Sequence, residues 1–278
     1  MDDLFERGFR TKNGSIRTPQ SIQSYATLAT IIFQTNQNEQ HGGQAIPAFD
    51  FFMAKGVSKS FRKHLSSFIS FYIAMETNTA VEEKVIRALI EEHLPSIKTN
   101  ELERETLRMA LTALQINIDK EHLARVIEKA YQQTRKDTHQ AMEGFIHNLN
   151  TMHSRGGNQV VFSSINYGTD TSAEGRMVIE ELLKATIEGL GTRGEVPVFP
   201  IQIFKVKDGV SYSEEDYQKA MTDFEAAEEG RMTFSAPNFD LFLKACRTTA
   251  KALFPNFMFL DAPFNHCLLY TSDAADEL

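Results

Sequence analysis

The stretch that decides the fold is NQVVFSSINYGTDTSAEGR, residues 158–176. It begins with a run rich in β-branched and aromatic residues, VVFSSINY, which predicts a buried strand. A polar loop of small residues follows. Thr171 and Glu174 then have the spacing of a capping box, which indicates the N-terminus of a helix. A strand that passes through a short polar loop into a capped helix is the first half of a βαβ unit.

The sequence after this stretch completes the unit and extends it. The helical segment RMVIEELLKATIEGLG stops at Gly189 and Gly191, and VPVFPIQIFKVK follows as a second strand with little alternation, as expected when both of its faces are covered. After an acidic insertion, VSYSEEDYQKAMTDFEAAEEG, a further helix (FDLFLKACRTTAKALF) precedes a third strand (FMFL). We therefore expect an α/β fold whose strands are parallel and whose crossovers are right-handed.

The residues before this unit predict a large helical half. One helix begins near Ser21, and HGGQAIPAFD ends it at Gly42, Gly43 and Pro47. A second helix is predicted from about 51 to 75, and nearly all of 81–153 reads as helix, with LPSIKTN as the clearest break.

Composition excludes several classes of function. The chain has 278 residues, 42% of them hydrophobic, and a net charge of −8. Lys and Arg are scattered, so we expect no nucleic-acid partner. No apolar run approaches the roughly 20 residues that span a bilayer, and no signal peptide precedes the polar start, so we expect no membrane association and a cytoplasmic protein. With two cysteines, Cys246 and Cys267, a disulfide framework is not expected.

Polar residues cluster where the first predicted strand ends. Ser163, Ser164, Asn166, Gly168 and Thr169 are expected at its carboxyl end, the edge at which parallel α/β folds bind ligands. The N–H groups of the helix that starts near there favour an anion such as phosphate. The residues alone support equally well an alternative in which this loop only caps the helix.

Four blocks carry a resemblance to a known family: NEQHGGQAIPAFD, FSSINYGTDTSAEGR, PVFPIQIFKVKDGV and ACRTTAKALFPNFMFLDAPFN. Together, in this order and over residues 2–265, they resemble the anaerobic (class III) ribonucleoside-triphosphate reductases. The resemblance implies a ten-stranded α/β barrel built from two parallel half-barrels. It also implies that ribonucleoside triphosphates are converted to deoxyribonucleoside triphosphates by a glycyl radical and a thiyl radical, with formate or a thiol system as reductant.

The resemblance further implies that this chain is a fragment without catalytic residues. In the family the thiyl cysteine follows the LDAPFN block, and the glycyl-radical loop and zinc cysteines lie further on. An activating protein with an iron–sulfur cluster and S-adenosylmethionine installs the glycyl radical. We interpret Cys246 as a small core residue. Residues 1–266 are expected to be part of the catalytic barrel domain, and 267–278, which contain CLLYTSDAADE, to be a non-native tail translated from a sequencing adapter.

The family resemblance favours a substrate pocket formed by two segments. The predicted substrate-binding residues are His41, Gly42, Gly43, Gln44, Gln159, Ser163, Ser164 and Asn166. The alternative for the first segment is a helix C-cap in which glycine adopts a positive φ, with His41 as a structural histidine, and for this segment the resemblance favours some of each. His41, His147 and His153 have no metal-ligand spacing, so no metal site is predicted.

An effector site is the second expectation from the resemblance. Family members bind ATP or deoxyribonucleoside triphosphates at a homodimer interface, just before the first helix and against basic residues of the next. Those positions correspond to Arg17, Gln20, Lys59 and Lys63, with Arg62 nearby. Arg17 departs from the acidic residue expected there. The alternative is that KSFRKH is only a solvated helix face.

Three other interpretations stay open at this point. A fragment of another glycyl-radical enzyme, of the pyruvate formate-lyase type, would share the barrel fold but not the HGGQ segment. A non-catalytic nucleotide-binding module would need the strand-end loop without the radical chemistry. A purely structural helical protein would leave SSINYGTDTS unexplained.

Overall fold

The structure is a computed structural model that describes residues 8–11, 14–39, 42–77, 82–151, 153–154, 159–228 and 230–261. His41 and the predicted adapter-derived tail lie outside the described residues, and for Gln159 only the backbone is described. In the described part of the chain, no helix is both long and apolar enough to cross a bilayer.

The described helices and strands are numbered here in chain order. The helices are α1 (Ile22–Glu39), α2 (Phe49–Thr77), α3 (Glu83–His93), α4 (Glu101–Ala113), α5 (Lys120–Thr151), α6 (Ala173–Glu188), α7 (Glu214–Thr222), α8 (Phe224–Glu228) and α9 (Phe239–Ala252). The strands are β1 (Phe9–Thr11), β2 (Gly14–Ile16), β3 (Gln44–Ile46), β4 (His153–Ser154), β5 (Gln159–Val160), β6 (Ser163–Tyr167), β7 (Ile201–Val206) and β8 (Asn256–Phe259).

The helical half agrees with the sequence prediction. The predicted break at 94–100 separates α3 from α4, and Asn100 starts α4 with a capping box, in which its side chain accepts from the Glu103 N–H and Glu103 accepts from the Asn100 N–H. A second break, between α4 and α5, was not predicted. There Gln115 adopts φ 62°, a left-handed conformation that ends the α4 segment.

Four parallel strands form the sheet, in the order β3-β6-β7-β8. The three predicted strands are confirmed as β6, β7 and β8, and the parallel pairing is confirmed too. β3 was missed, because its three residues lie between glycines and a proline and give no periodicity. β6 begins at Ser163 rather than at Val160, which belongs to the separate β4–β5 hairpin. The ten-stranded barrel that the resemblance implies stays a prediction, because the described residues form a parallel sheet of four strands.

Helices α6 and α9 cover one face of the sheet. Tyr167 donates to Gln202 Oε1 (2.8 Å), and Gln202 Nε2 donates to Thr186 Oγ1 of α6 (2.8 Å). On the same face, Phe204 packs 6.2 Å from Phe242 of α9. This side of the sheet is therefore closed by a buried hydrogen-bonded chain and an aromatic cluster.

The opposite face carries polar side chains. Side chains alternate along a strand, and Asn166 pairs with Ile203, which pairs with Asn256. Ser164, Asn166, Lys205 and Asn256 consequently lie on the face turned away from α6 and α9. We call these four residues the polar face.

The helical half packs against the sheet through α1, α2 and α5. Phe49 at the start of α2 lies 5.0 Å from Phe145 of α5, between ring centroids, and both are fully buried. α1 crosses α2 at Gly56, where a Cβ would lie 2.9 Å from the Tyr25 ring. The close crossing fixes where α2 begins, and hence where Asp50, its second residue, meets the sheet.

Candidate functional site

The loop that joins β6 to α6 is held by a buried carboxylate from another part of the chain. Asp50 Oδ2 accepts from the N–H groups of Gly168 (2.8 Å), Thr169 (3.1 Å) and Asp170 (3.0 Å). Its Oδ1 accepts from the Phe51 N–H (3.1 Å). Burial raises the pKa of Asp50, and the hydrogen bonds from the backbone oppose that rise. Asp50 thus supplies the anion that this loop of N–H groups attracts.

A buried amide holds the same loop from its other side. Asn238 Nδ2 donates to the carbonyl oxygens of Gly168 (3.1 Å) and Asp170 (2.9 Å). Asn238 Oδ1 accepts from Arg176 Nη1 (2.8 Å), and Arg176 Nη2 donates to Asp240 (2.7 Å). The loop is therefore clamped between the start of α2, which accepts from the N–H groups of residues 168–170, and the start of α9, which donates to the carbonyls of Gly168 and Asp170.

The N-terminus of α6 differs in detail from the prediction. The cap is Ser172, whose Oγ accepts from the Gly175 N–H (3.0 Å), so the predicted Thr171–Glu174 capping box is wrong by one residue. Glu174 instead reaches the 94–100 loop and accepts from the Ile97 N–H (2.9 Å). Asp170 accepts from the Ser172 N–H (2.8 Å). In residues 168–175 the backbone N–H groups are therefore bonded by Asp50, Asp170 and Ser172, all of which belong to the chain itself.

Two glycines make this compact arrangement feasible. Gly168 has φ +118°, and a Cβ there would lie 2.9 Å from the Lys205 carbonyl oxygen. At Gly175 a Cβ would lie 2.1 Å from Asp170 Oδ2. Any larger residue would have to displace the loop or its anchor, so the glycines of SSINYGTDTSAEG are explained by close backbone approach.

The predicted substrate residues on β3 and β6 divide between the two faces of the sheet. Gln44 pairs with Ser163, and its Nε2 donates to Phe33 O of α1 (2.9 Å). Ser163 Oγ donates to Val161 O (3.1 Å). These two side chains lie on the helix-covered face. Ser164 and Asn166 lie on the polar face, and both are buried.

The predicted position of the two serines needs correction. Ser163 and Ser164 were expected at the carboxyl end of the strand, but β6 begins at Ser163, so they lie at its amino end. Asn166, Gly168 and Thr169, which were expected at the same end, do lie at or directly after the carboxyl end of β6. The difference for the two serines arises because the predicted strand included Val160 and Val161, whereas β6 begins two residues after Val161.

The described part of the HGGQ segment, Gly42–Gln44, lies beside the start of β6. The Gln44 N–H donates to Phe162 O (3.0 Å), and Gly42 adopts φ 100° in the turn before β3. Gly43 is half-buried between them. The structure therefore brings this glycine turn to the amino end of β6, next to Ser163 and Ser164.

The predicted effector residues are partly brought together. Lys59 Nζ of α2 donates to Pro19 O (3.1 Å), in the segment that contains Arg17 and Gln20, both of which are exposed. Lys63 is exposed one turn further along α2. Arg62 instead pairs with Glu91 of α3 (2.5 Å).

A cavity of about 520 Å³ lies beside the first turns of α6. Its lining includes Lys98, Arg104, Tyr131, Thr171, Arg176 and Leu241. Thr171 is the one residue of the β6–α6 loop among them, and no predicted substrate residue lines it. Within the described residues, no group of three or more His, Cys, Asp or Glu side chains could hold a metal ion.

The interpretation of Cys246 as a small core residue is wrong. Cys246 was expected in the core, but it is exposed on α9, whose buried residues are Phe239, Leu241, Ala245, Thr248 and Ala252. Partial burial of the thiol still raises the pKa of Cys246. Since α9 covers the face opposite to the polar face, Cys246 lies on the other side of the sheet from Asn166.

Sequence reasoning missed Asp50 and Asn238, the two residues that organise the loop. They lie 118 and 70 residues from Gly168 in sequence, respectively. One signal for Asp50 was available: a carboxylate follows the apolar segment AIPAF directly at a helix start, where an anion is favoured. Asn238 has a comparable position before α9.

Comparison of the sequence with known proteins finds relatives that share one name. The relatives that match include anaerobic ribonucleoside-triphosphate reductases of Enterobacteria phage T4 (22% identity over 258 residues, 93% of this chain and 31% of the relative) and Haemophilus influenzae (23% over 261 residues, 94% and 27%). The Escherichia coli protein of the same name is 22% identical over 261 residues, 94% and 27%. The chain thus spans about a third or less of the length of these relatives.

The sequence profile of a whole family also matches. The family described as "Anaerobic ribonucleoside-triphosphate reductase" matches residues 1–275, nearly all of the 278 residues. The resemblance drawn from the four sequence blocks is confirmed, and the pyruvate formate-lyase alternative is not favoured. The chain, with its parallel sheet and clamped β6–α6 loop, belongs to the anaerobic ribonucleoside-triphosphate reductase family.

Proposed function

We propose that this chain is the substrate-holding part of an enzyme that reduces ribonucleoside triphosphates to deoxyribonucleoside triphosphates. The observation that carries the proposal is the pair Ser164 and Asn166, two polar side chains buried in an inner strand of the parallel sheet. An inner strand of this kind is normally apolar. Within the described residues the Ser164 hydroxyl has no hydrogen-bond partner, and burying such a group costs free energy, which a binding role would explain.

The radical chemistry is assigned to parts of the parent enzyme outside this chain. When present, the glycyl radical supplies the oxidising power that generates a thiyl radical on a cysteine. Cys246 is not proposed for that role, because it lies on the outer side of α9, across the sheet from the polar face. The residues of this chain would bind and orient the nucleotide. The activating iron–sulfur protein, the reductant and the zinc site also belong to the proposed parent.

The sheet is proposed to be part of a parallel half-barrel. The strand order β3-β6-β7-β8 follows the chain order, and every pairing is parallel. The connecting helices α6 and α9 pack on the same face of the sheet. Sequential parallel strands with helices on one side are typical of barrels, whereas doubly wound sheets have helices on both sides.

The substrate pocket is proposed at the polar face and the adjoining glycine turn. Ser164 and Asn166 would contact the nucleotide directly, and the Gly42–Gly43 turn would allow close approach of its backbone. Gln44 and Ser163 would act indirectly, since Gln44 ties β3 to α1 through Phe33 O and Ser163 bonds the carbonyl of Val161. His41 and Gln159 are proposed members of the same pocket.

The effector site is proposed at the segment before α1, where a homodimer of the parent would bind ATP or a deoxyribonucleoside triphosphate. Lys59 supports it, because its contact with Pro19 O places a cation beside Arg17 and Gln20. Lys63 would extend the basic surface by one turn. A cytoplasmic location is proposed for the parent, as for other enzymes of nucleotide synthesis.

The proposal is tested by kinetics on the complete reductase that contains this sequence. Asn166→Ala removes a buried polar group from the polar face and should lower kcat/KM by about 5- to 150-fold, which corresponds to about 1–3 kcal/mol. Asn117→Ala, at an exposed loop position, is the matched control and should leave kcat/KM unchanged. Equal kcat/KM values for the two variants would contradict a substrate-binding role for Asn166.

A further inference from the structure

Lys205 differs from the other residues of the polar face because its side chain extends from β7 across β6 toward β3. It belongs to β7, on the same face as Ile203, whose pairing partner is Asn166. Its Nζ donates to the carbonyl oxygen of Pro47, the residue that follows β3. Since β6 lies between β7 and β3, the Lys205 side chain must pass over the carboxyl end of β6.

The ammonium group therefore lies at the carboxyl edge of three neighbouring parallel strands. This edge is where parallel α/β folds bind ligands. The close approach of β6 and β7 at this point depends on Gly168, where a Cβ would meet the Lys205 backbone at 2.9 Å. The pairing of β6 with β7 therefore places Lys205 near Asn166 and the start of the β6–α6 loop.

In the part of the chain that the structure describes, the charge of Lys205 has no carboxylate partner. Among the ion pairs of the described residues, none involves Lys205, and its one hydrogen bond is to the neutral Pro47 carbonyl. An anionic acceptor would bind an ammonium group more strongly than a carbonyl oxygen does. The cation is thus held in place by a weaker partner that an anionic ligand can replace.

Ser164 gives a second, independent indication on the same face. Its side chain is 0% exposed, and within the described part of the chain its Oγ has no hydrogen-bond partner. A buried hydroxyl without a partner is destabilising and calls for an explanation. A ligand that reaches the polar face would supply the missing partner.

We propose that Lys205 binds the phosphate groups of the nucleotide that occupies the polar face, with Ser164 and Asn166 beneath it as polar contacts. The inference rests on the proposed function and adds to it the residue that selects a triphosphate over an uncharged nucleoside. Binding would transfer the Lys205 ammonium from Pro47 O to phosphate oxygens, with no covalent change.

Binding of CTP and cytidine to the full 278-residue chain, measured by isothermal titration, tests this inference. CTP is used because the proposed effectors are ATP and deoxyribonucleoside triphosphates, so CTP is expected to bind the substrate pocket and not the effector site. The wild-type chain should bind CTP more tightly than cytidine. Lys205→Met should lower CTP affinity by about 10- to 100-fold and leave cytidine affinity unchanged, because only the phosphate contact is lost. Lys205→Arg, which keeps the cation, should retain most of the preference for CTP.

Lys184→Met, on the exposed side of α6, is the charge-matched control and should bind CTP as the wild type does. Equal thermal unfolding midpoints for the wild type and the two Lys205 variants would show that the fold is kept. If Lys205→Met binds CTP like the wild type, the Lys205 inference is overturned while the proposed function stands. If the wild-type chain binds no CTP at all, both are overturned. Loss of CTP and cytidine binding together in a folded Lys205→Met variant would overturn the phosphate assignment.

Discussion

The most informative perturbation of the fold is Asp50→Ala, because one carboxylate holds three consecutive N–H groups of the β6–α6 loop. The substitution leaves the Gly168 and Asp170 donors buried without an acceptor. A buried hydrogen bond to a charged group contributes roughly 1.5–3 kcal/mol, and neighbouring bonds are not additive. Relaxation of the loop recovers part of the loss. We expect the free energy of unfolding to fall by about 3–5 kcal/mol.

Urea unfolding of the wild type and the variant measures this loss, and hydrogen exchange locates it. The amides of residues 168–170 should lose protection first, since their acceptor is gone. Asp208→Ala removes an exposed carboxylate and is the matched control, with an expected change below about 0.5 kcal/mol. A loss under about 1 kcal/mol for Asp50→Ala would refute the view that this carboxylate anchors the loop.

Three further outcomes are expected. Gly175→Ala should destabilise the fold by about 1–3 kcal/mol in a urea titration, because its Cβ would overlap Asp170, whereas Gly144→Ala, with nothing within 4 Å of its Cβ, should be neutral or stabilising. Since burial raises the pKa of Asp50, the folded state binds its proton more tightly than the unfolded state does. The wild type should therefore lose stability relative to Asp50→Asn as the pH rises from the ordinary aspartate range through the raised pKa of Asp50, and a pH-independent difference would contradict this. Cys246 should react with a thiol reagent in the folded Cys267→Ser variant, at a rate that increases with pH above neutrality, and protection until unfolding would contradict its exposed position.

The local features of the fold were accessible from the sequence, and the long-range ones were not. The apolar run before Tyr167 and the stop at Gly189 are enough to predict a strand and a helix, because both depend on neighbouring residues. The cap was assigned to Thr171 instead of Ser172, since two adjacent hydroxyl residues fit the same pattern. The contact of Asp50 with Gly168 joins residues 118 positions apart, and no local pattern specifies it.

In the candidate site, too, the local features could be predicted from the sequence and the long-range ones could not. The polar residues of β6 were identified from their type, but their faces and ends depend on where the strand begins and on its neighbours. Ser163 and Ser164 point to opposite faces because side chains alternate, so only one of them lies with Asn166. Lys205 received no assignment, because its nearness to Asn166 follows from the pairing of β7 with β6.

Photo-crosslinking tests the central claim, that this chain holds the substrate of a ribonucleoside-triphosphate reductase, most directly. The full chain is irradiated with a CTP analogue that carries a photoreactive base, digested, and mapped by mass spectrometry. The account predicts label on the segments 42–47 and 163–172, and its loss when excess CTP competes. Label confined to other segments, or label in these segments that CTP does not displace, would contradict it.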